Sequence, residues 1–312
     1  MEHYVTLFDG FFLPQGLALN ISLKRHAGEY TLWVLCMDDA AYEALRKVAL
    51  PNVRLLALGT VETAALRRAR STRTRAEYCW TLTPFTPSFV FDADPDVRRV
   101  TYVDADTWLV RSPLPLLDEF EASRKAVLIT EHGYAPEYDR SQVSGRYCVQ
   151  FMTFERDRGE PVRRWWAERC LEWCYARLED GKFGDQMYLN DWPTRFAADV
   201  HVLQLASAMQ APWNTFRFAP GDAMVFHFHG LRLLRDGGLL SSDHYRINPA
   251  TFRSIYLPYC NDLLSALRVL SSIGHQVRPQ IDRPVWLLRL RVFAQQLRLR
   301  WRERAPSRFI RL

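Results

Sequence analysis

Three times within the first 58 residues a short, densely apolar run gives way at once to acidic or helix-forming residues. YVTLFDG at 4–10 leads into LPQGLALNISLKRH, whose Leu13, Leu17 and Ile21 recur at helical spacing. YTLWVLCMDD at 30–39 leads into AAYEALRKV, closed by Pro51, and VRLLAL at 53–58 leads into VETAALRRARSTRTRAEY, a helix passing into a loop. Strands alternating with helices at this spacing predict a parallel, doubly wound α/β sheet. VTYVDADTWLV at 100–110, KAVLIT, YCVQFMTF, DVHVLQL and AMVFHFHG supply further strands. WTLTPFTPSFVF is expected to be helical only after its prolines. A Trp-rich helix opened by Pro161 should span about 161–179, and GKFGDQMYLNDWP should be a loop entering a short helix that Pro193 stops.

The chain has 312 residues, 48% of them hydrophobic and 24% charged, a globular composition large enough for one α/β domain with an appendage. The expected division is a catalytic domain over 1–250 and a helical segment over 251–312. No apolar run reaches 18 residues, and MEHYVTLFDGFF lacks a basic-then-apolar leader, so the expected location is the cytoplasm. Six cysteines show no CxxC spacing; Cys170 and Cys174 are read as core residues beside Trp166 and Trp173.

Charge is uneven. Residues 283–312 hold nine arginines and one acid, Glu303, a net of +8, so the first 282 residues carry −2 of the chain's +6. On a helical wheel Trp286, Leu290, Phe293, Leu297 and Trp301 share one face, flanked by arginines. That is the layout of a helix lying in an anionic bilayer interface, or of one docked on the domain. With no recognised binding module joining the arginines, nucleic acid is not an expected partner.

Asp-Ala-Asp occurs twice, at 92–94 and at 104–106. The first copy precedes Pro95 and reads as a turn. The second follows the strand VTYV, where an extended segment would turn Asp104 and Asp106 to the same side, beyond the carboxyl end of a parallel strand. Hard oxygen ligands of this kind suit Mg²⁺ or Mn²⁺ with a phosphate-bearing substrate. Downstream stand GDQ at 184–186 and HFHG at 227–230, which can add a carboxylate, an amide and imidazoles. Each has a plainer alternative: Asp185 as a helix cap, His229 as a core residue, and Asn214 of APWN as a loop anchor.

In this order, YVTLFDGFFLPQGLALNISLKRH, AEYCWTLTP, RRVTYVDADTWLVRSPLPLLDEF, KFGDQMYLNDWP, APWN and HFHG resemble metal-dependent nucleotide-sugar glycosyltransferases of the GT-A fold, most nearly family 8 and related bacterial transferases. The resemblance covers about residues 4–235. It implies that Asp104, Asp106 and His227 hold the metal, that Asp9 and Phe12 lie against the nucleotide base, and that Asp185 and Gln186 face the donor sugar as the catalytic pair. It also implies that Tyr78, Ala105, Asn214 and Gly230 line the donor site, and that Arg232 takes the place of a family lysine on the diphosphate at a different spacing. The chain departs from the family at Tyr78-Cys79-Trp80, where an arginine is usual shortly after the tyrosine, and at Cys148-Val149-Gln150, where the family has Asn-Ala-Gly.

The implied function is transfer of a hexose-type sugar from a nucleotide donor, UDP by expectation, with Mn²⁺ or Mg²⁺. The implied acceptor is a glycan or lipid-linked one at the cytoplasmic face of the inner membrane, in bacterial surface polysaccharide or lipopolysaccharide assembly. The configuration at the anomeric carbon is expected to be retained. Two other readings use the same residues. Haloacid-dehalogenase-like phosphatases also place Asp-x-Asp after a strand, but need threonine or valine where this chain has Trp108. A catalytically inactive, membrane-associated sugar-binding protein predicts no metal-dependent donor hydrolysis.

Overall fold

A computed structural model describes residues 1–235, 237–242, 244–281 and 309–310. Its central sheet has seven strands: β1 (Glu2–Phe8), β2 (Tyr30–Cys36), β3 (Val53–Ala57), β4 (Arg99–Val103), β6 (Val127–Glu131), β7 (Tyr147–Glu155) and β8 (Val200–Val202), in the order β3-β2-β1-β4-β7-β6-β8. A second sheet is built from β5 (Thr107–Leu109), β9 (Met209–Gln210) and β10 (Val225–His227). In the large sheet β3, β2, β1 and β4 are mutually parallel, whereas β7 runs antiparallel between β4 and β6. Strand order reverses at β1, with β2 on one side and β4 on the other. That reversal opens a crevice beyond the carboxyl ends of β1 and β4, the place where open α/β sheets bind ligands.

Strand existence follows the apolar runs; helix boundaries depart from them in three places. Helix Arg75–Leu82 already contains Trp80-Thr81-Leu82, ahead of the prolines. It starts there because Thr74 and Glu77 form a reciprocal capping box, and Pro84 and Pro87 fall in the first turns of Thr83–Phe85 and Thr86–Ala93, where no N–H is needed. The Trp-rich helix runs Glu160–Glu172, ending at an extended Trp173. Pro193 opens the turn Trp192–Arg195 instead of stopping the preceding one, because Gln186–Asp191 is 3₁₀ and ends on its own.

The helix Leu13–His26 covers β1, and the helix Leu257–Ser272 packs on it. Asp262 joins the two, accepting both Arg25 guanidinium nitrogens at 3.0 and 2.8 Å and the Trp108 indole at 2.8 Å. Cys170 and Cys174 lie fully buried among Trp166, Trp192 and Phe154, as core residues. At the chain's end Phe309–Ile310 pairs with Leu239–Leu240, which pairs in turn with Arg232–Leu233. The expected basic amphipathic helix lies outside the described residues. Among the described ones no helix is long and apolar enough to cross a membrane.

Candidate metal and donor site

Three chain segments bring the acidic motif and the histidine together. β4 ends at Val103, and the chain then turns tightly: Asp104 C=O accepts from Thr107 N at 3.0 Å and from Thr107 Oγ1 at 2.7 Å. Asp104 and Asp106 therefore converge across a turn, whereas the sequence reading had them side by side on an extended segment. The turn delivers the chain into β5, which pairs antiparallel with β10 so that Thr107 faces His227. Phe228 N donates to Asp106 C=O at 2.8 Å, completing the clamp.

His227 Nε2 stands 3.1 Å from Asp106 Oδ1 and 3.7 Å from Asp104 Oδ2. One ligand atom from each of the three residues lies within 4.8 Å of the others, and the two carboxylates remain 21% and 15% exposed, open to the crevice. Burial raises the Asp104 carboxyl above its ordinary pKa, against the pull of His227. Burial acts on Asp106 in the same sense, but His227, with His229 and Arg232 beyond, outweighs it and brings Asp106 to about 2. His227 in turn is held well above its usual value: desolvation opposes its charge and Asp106 overrides it. Two carboxylates and an imidazole focused on one point form a donor set that fits Mg²⁺ or Mn²⁺.

Gln150, noted in the sequence only as a departure, sets the histidine's orientation. Its Oε1 lies 3.0 Å from His227 Nδ1, and its Nε2 is buried without a partner. With Nδ1–H donating to that oxygen, Nε2 is the ring nitrogen that faces the two carboxylates; it holds a proton there in the absence of a cation and would ligate one only on losing it.

Asp185 arrives from the loop after the Trp-rich helix, anchored by Trp166 Nε1 donating to its carbonyl at 2.8 Å. It occupies the N-cap position of the 3₁₀ turn Gln186–Asp191 but makes no side-chain capping bond there. Only 3% exposed, it leaves Oδ2 unpaired, and burial together with the charge of Asp104 pushes its carboxyl up to about 8. A buried, protonated carboxyl with an orphaned oxygen is suited to a sugar hydroxyl. Gln186 is tied back, its Nε2 donating to Ser144 C=O at 2.6 Å.

At the β1 end, Asp9 Oδ1 accepts from Phe11 N at 2.9 Å and Phe12 N at 3.2 Å, while Oδ2 pairs with Arg75. Arg75 also reaches Asp38 and lies over the Phe11 ring at 5.4 Å. The sequence reading missed Arg75. A cation at the first position of a capped helix opposes the helix dipole, and that was the available signal that acids stood opposite it. The Arg232 guanidinium lies 5.8 Å from the Phe12 ring and adds to the field at Asp106, so it stands between Phe12 and the candidate metal ligands.

Other expected site residues are placed differently. Tyr78 is 3% exposed in the core, its hydroxyl donating to Glu62 Oε1 at 2.5 Å. Asn214 is fully buried, with its amide on backbone groups of Ala211, His132 and Met209, the loop-anchor alternative. Ala105 packs into the core, and Gly230 holds φ at 80°, a left-handed turn after β10. His229 is exposed, not in the core, with its ring 5.6 Å from both Trp213 and His227. Asp94 of the first Asp-Ala-Asp accepts from Asp96 N at 3.0 Å, the turn that was expected.

Comparison with known proteins places this architecture. No protein-family model matches the chain. Two Bacillus subtilis (strain 168) proteins align with most of it: YfnF, 29% identical over 252 residues (74% of this chain, 82% of YfnF), and YfnD, 28% identical over 280 residues (84% and 88%), both described as uncharacterized. Among solved structures, the bifunctional glycosyltransferase WbbM superposes with a TM-score of 0.53 at 15% identity, over 86% of this chain and 51% of that one. Mouse xyloside xylosyltransferase 1 gives a TM-score of 0.48 at 13% identity (73% and 97% covered). With the mostly parallel sheet and its crevice, the likeness to WbbM identifies the fold as the GT-A, Rossmann-like fold of glycosyltransferases.

Proposed function

We propose that the protein is a metal-dependent glycosyltransferase, family 8-like, that moves a hexose-type sugar from a UDP donor to a glycan or lipid-linked acceptor with retention of configuration. The observation that carries the reading is the convergence of Asp104, Asp106 and His227 at the crevice of a GT-A fold. A divalent cation held by these three residues supplies Lewis-acid stabilisation of the departing diphosphate, a contribution of several kcal/mol. Arg232 adds positive charge on the same side. Asp185, protonated near neutral pH, donates its hydrogen to a hydroxyl of the donor sugar, and Gln186 borders the anomeric carbon. The bond from C1 to the phosphate oxygen breaks as the acceptor oxygen bonds to C1 on the same face, and the acceptor's proton passes to the departing phosphate.

The test is a screen of nucleotide sugars with Mn²⁺, following nucleotide release and the anomeric configuration of the product by NMR. The expected result is turnover with one donor, retention, and a loss of at least a hundredfold in Asp106→Ala. Turnover that persists in Asp106→Ala and vanishes in Asp92→Ala would sink the assignment, and an inverted product would sink the same-face step. Arginines around the Trp and Leu face of residues 283–312 support peripheral attachment to an anionic inner-membrane surface, where assembly of a surface polysaccharide or lipopolysaccharide would present its acceptor.

A further inference from the structure

Beside the loop that carries Asp185 and Gln186 lies a cleft of about 400 Å³, lined in part by Glu131, Tyr134, Asp139, Arg146, Asn190 and Arg217. It shares a wall with the donor site. Ser144, whose carbonyl holds Gln186, belongs to the short turn Ser141–Ser144, and two residues later Arg146 N donates to Asn190 Oδ1 at 2.8 Å. A chain of rings makes a second connection: Tyr134 stacks on His132 (4.6 Å, 12°), His132 meets Trp213 edge-on at 5.2 Å, and Trp213 meets His227 at 5.5 Å. The cleft therefore opens two rings from the candidate metal ligand and one peptide segment from the candidate catalytic amide.

We propose that this cleft is the acceptor site and that it takes an uncharged sugar residue at the end of a glycan; the assignment rests on the transferase reading above. Its charges are balanced within the cleft. Arg146 is bound to Glu131 at 2.6 and 2.9 Å, and Arg217 and Asp139 contribute one charge of each sign. Arg217 donates to the carbonyl of Tyr134 at 3.1 Å, and Asp139 Oδ1 accepts from Ser141 N at 2.8 Å, which fixes both chain segments at the rim. An anionic ligand would meet as much repulsion as attraction. Hydroxyl groups, which donate and accept, match a wall of alternating guanidinium, carboxylate and amide. Tyr134, already stacked on one face, offers its remaining surface to the apolar face of a pyranose. The volume falls in the range of small-ligand sites.

Saturation-transfer NMR on the full-length protein, with UDP and Mn²⁺ present and no donor sugar, tests this with free glucose, galactose and N-acetylglucosamine as probes. At least one should bind the wild type, at least tenfold more weakly in Tyr134→Ala and several-fold more weakly in Arg217→Ala. Affinity should be unchanged in Arg253→Ala, which alters a separate cleft beside Val110 and Arg111. Binding that survives both cleft variants, binding that is lost in Asp185→Asn but kept in Tyr134→Ala, or no binding of any probe to the wild type overturns the assignment. Hydrolysis of nucleotide sugar by water is read separately. Its absence, with sugar binding still dependent on Tyr134, would reject the transferase reading and leave the cleft as a sugar site.

Discussion

Asp185 shows how one buried side chain ties the site to the stability of the whole protein. Its folded-state pKa of about 8 stands far above the ordinary aspartate value of 3.8, and burial is the first cause, ahead of repulsion from Asp104. Below about pH 4 the carboxyl is protonated in both folded and unfolded chains and costs nothing. As pH rises toward 8 the unfolded chain gives up its proton while the folded one keeps it, so folding stability declines across that window. Asp185→Asn should therefore stabilise the metal-free protein by about 5 kcal/mol near pH 7.5, with the gain shrinking toward zero at pH 4. Paired denaturant titrations at the two pH values measure it, and a gain equal at both would show that charge is not the cause. Nucleotide-sugar turnover in the same variant should fall, because an amide offers a weaker donor to the sugar.

At the scale of elements, the fit of helix Leu13–His26 to β1 sets where Asp9 stands. Gly16 faces the ring of Phe8, and a Cβ there would lie 2.4 Å from two ring carbons. Alanine in a helix interior ordinarily gains about 0.5–1 kcal/mol over glycine. Overpacking costs about 1–3 kcal/mol and prevails here, because Phe8 is itself buried and precedes Asp9 directly. Gly16→Ala should lower the denaturation midpoint and weaken nucleotide binding together. Gly59→Ala, in a helix with open space around it, should be neutral or slightly stabilising. Strands and their ends were legible in the sequence because each buried run is almost uniformly apolar and its first acid marks the exit from the core. Asp104 was legible for the same reason, since it follows such a run, whereas its grouping with Asp106 and His227 as candidate metal ligands came from the resemblance. Gln150 and Arg75 were not, because their roles depend on pairings of β7 with β4 and of one helix start with two distant loops, which sequence spacing does not encode. Tyr78 and Asn214 were assigned to the donor site by resemblance alone, whereas local packing holds the first on Glu62 and the second on three backbone groups.

Over the whole molecule, Phe309–Ile310 closes back on the small sheet that carries Arg232. Phe309–Ile310 pairs with Leu239–Leu240, the partner of Arg232–Leu233, and Ile310 packs against the cluster that holds Trp108, Phe226 and Phe228. Eight of the nine arginines, and the aromatic and leucine residues from Trp286 to Trp301 that are expected to share a helical face, precede that strand in sequence, so most of the arginine-rich stretch and the last four residues can be separated by experiment. Deleting residues 309–312 leaves every residue of that face in place but strips one edge from the Leu239–Leu240 strand. It should raise the KM for the nucleotide sugar by about three- to tenfold, the loss expected when a charge-assisted contact is loosened but not removed. Liposome flotation should weaken by no more than about fivefold, the share of Arg311 alone. Replacing Arg289, Arg298 and Arg300 by glutamine should do the reverse: at roughly 1 kcal/mol per basic residue near an anionic surface, the three together weaken flotation by about a hundredfold and leave hydrolysis of soluble donor alone. A larger loss of flotation after the four-residue deletion, with unchanged KM, would mean that the terminal strand serves membrane attachment and that Arg232 is positioned without it.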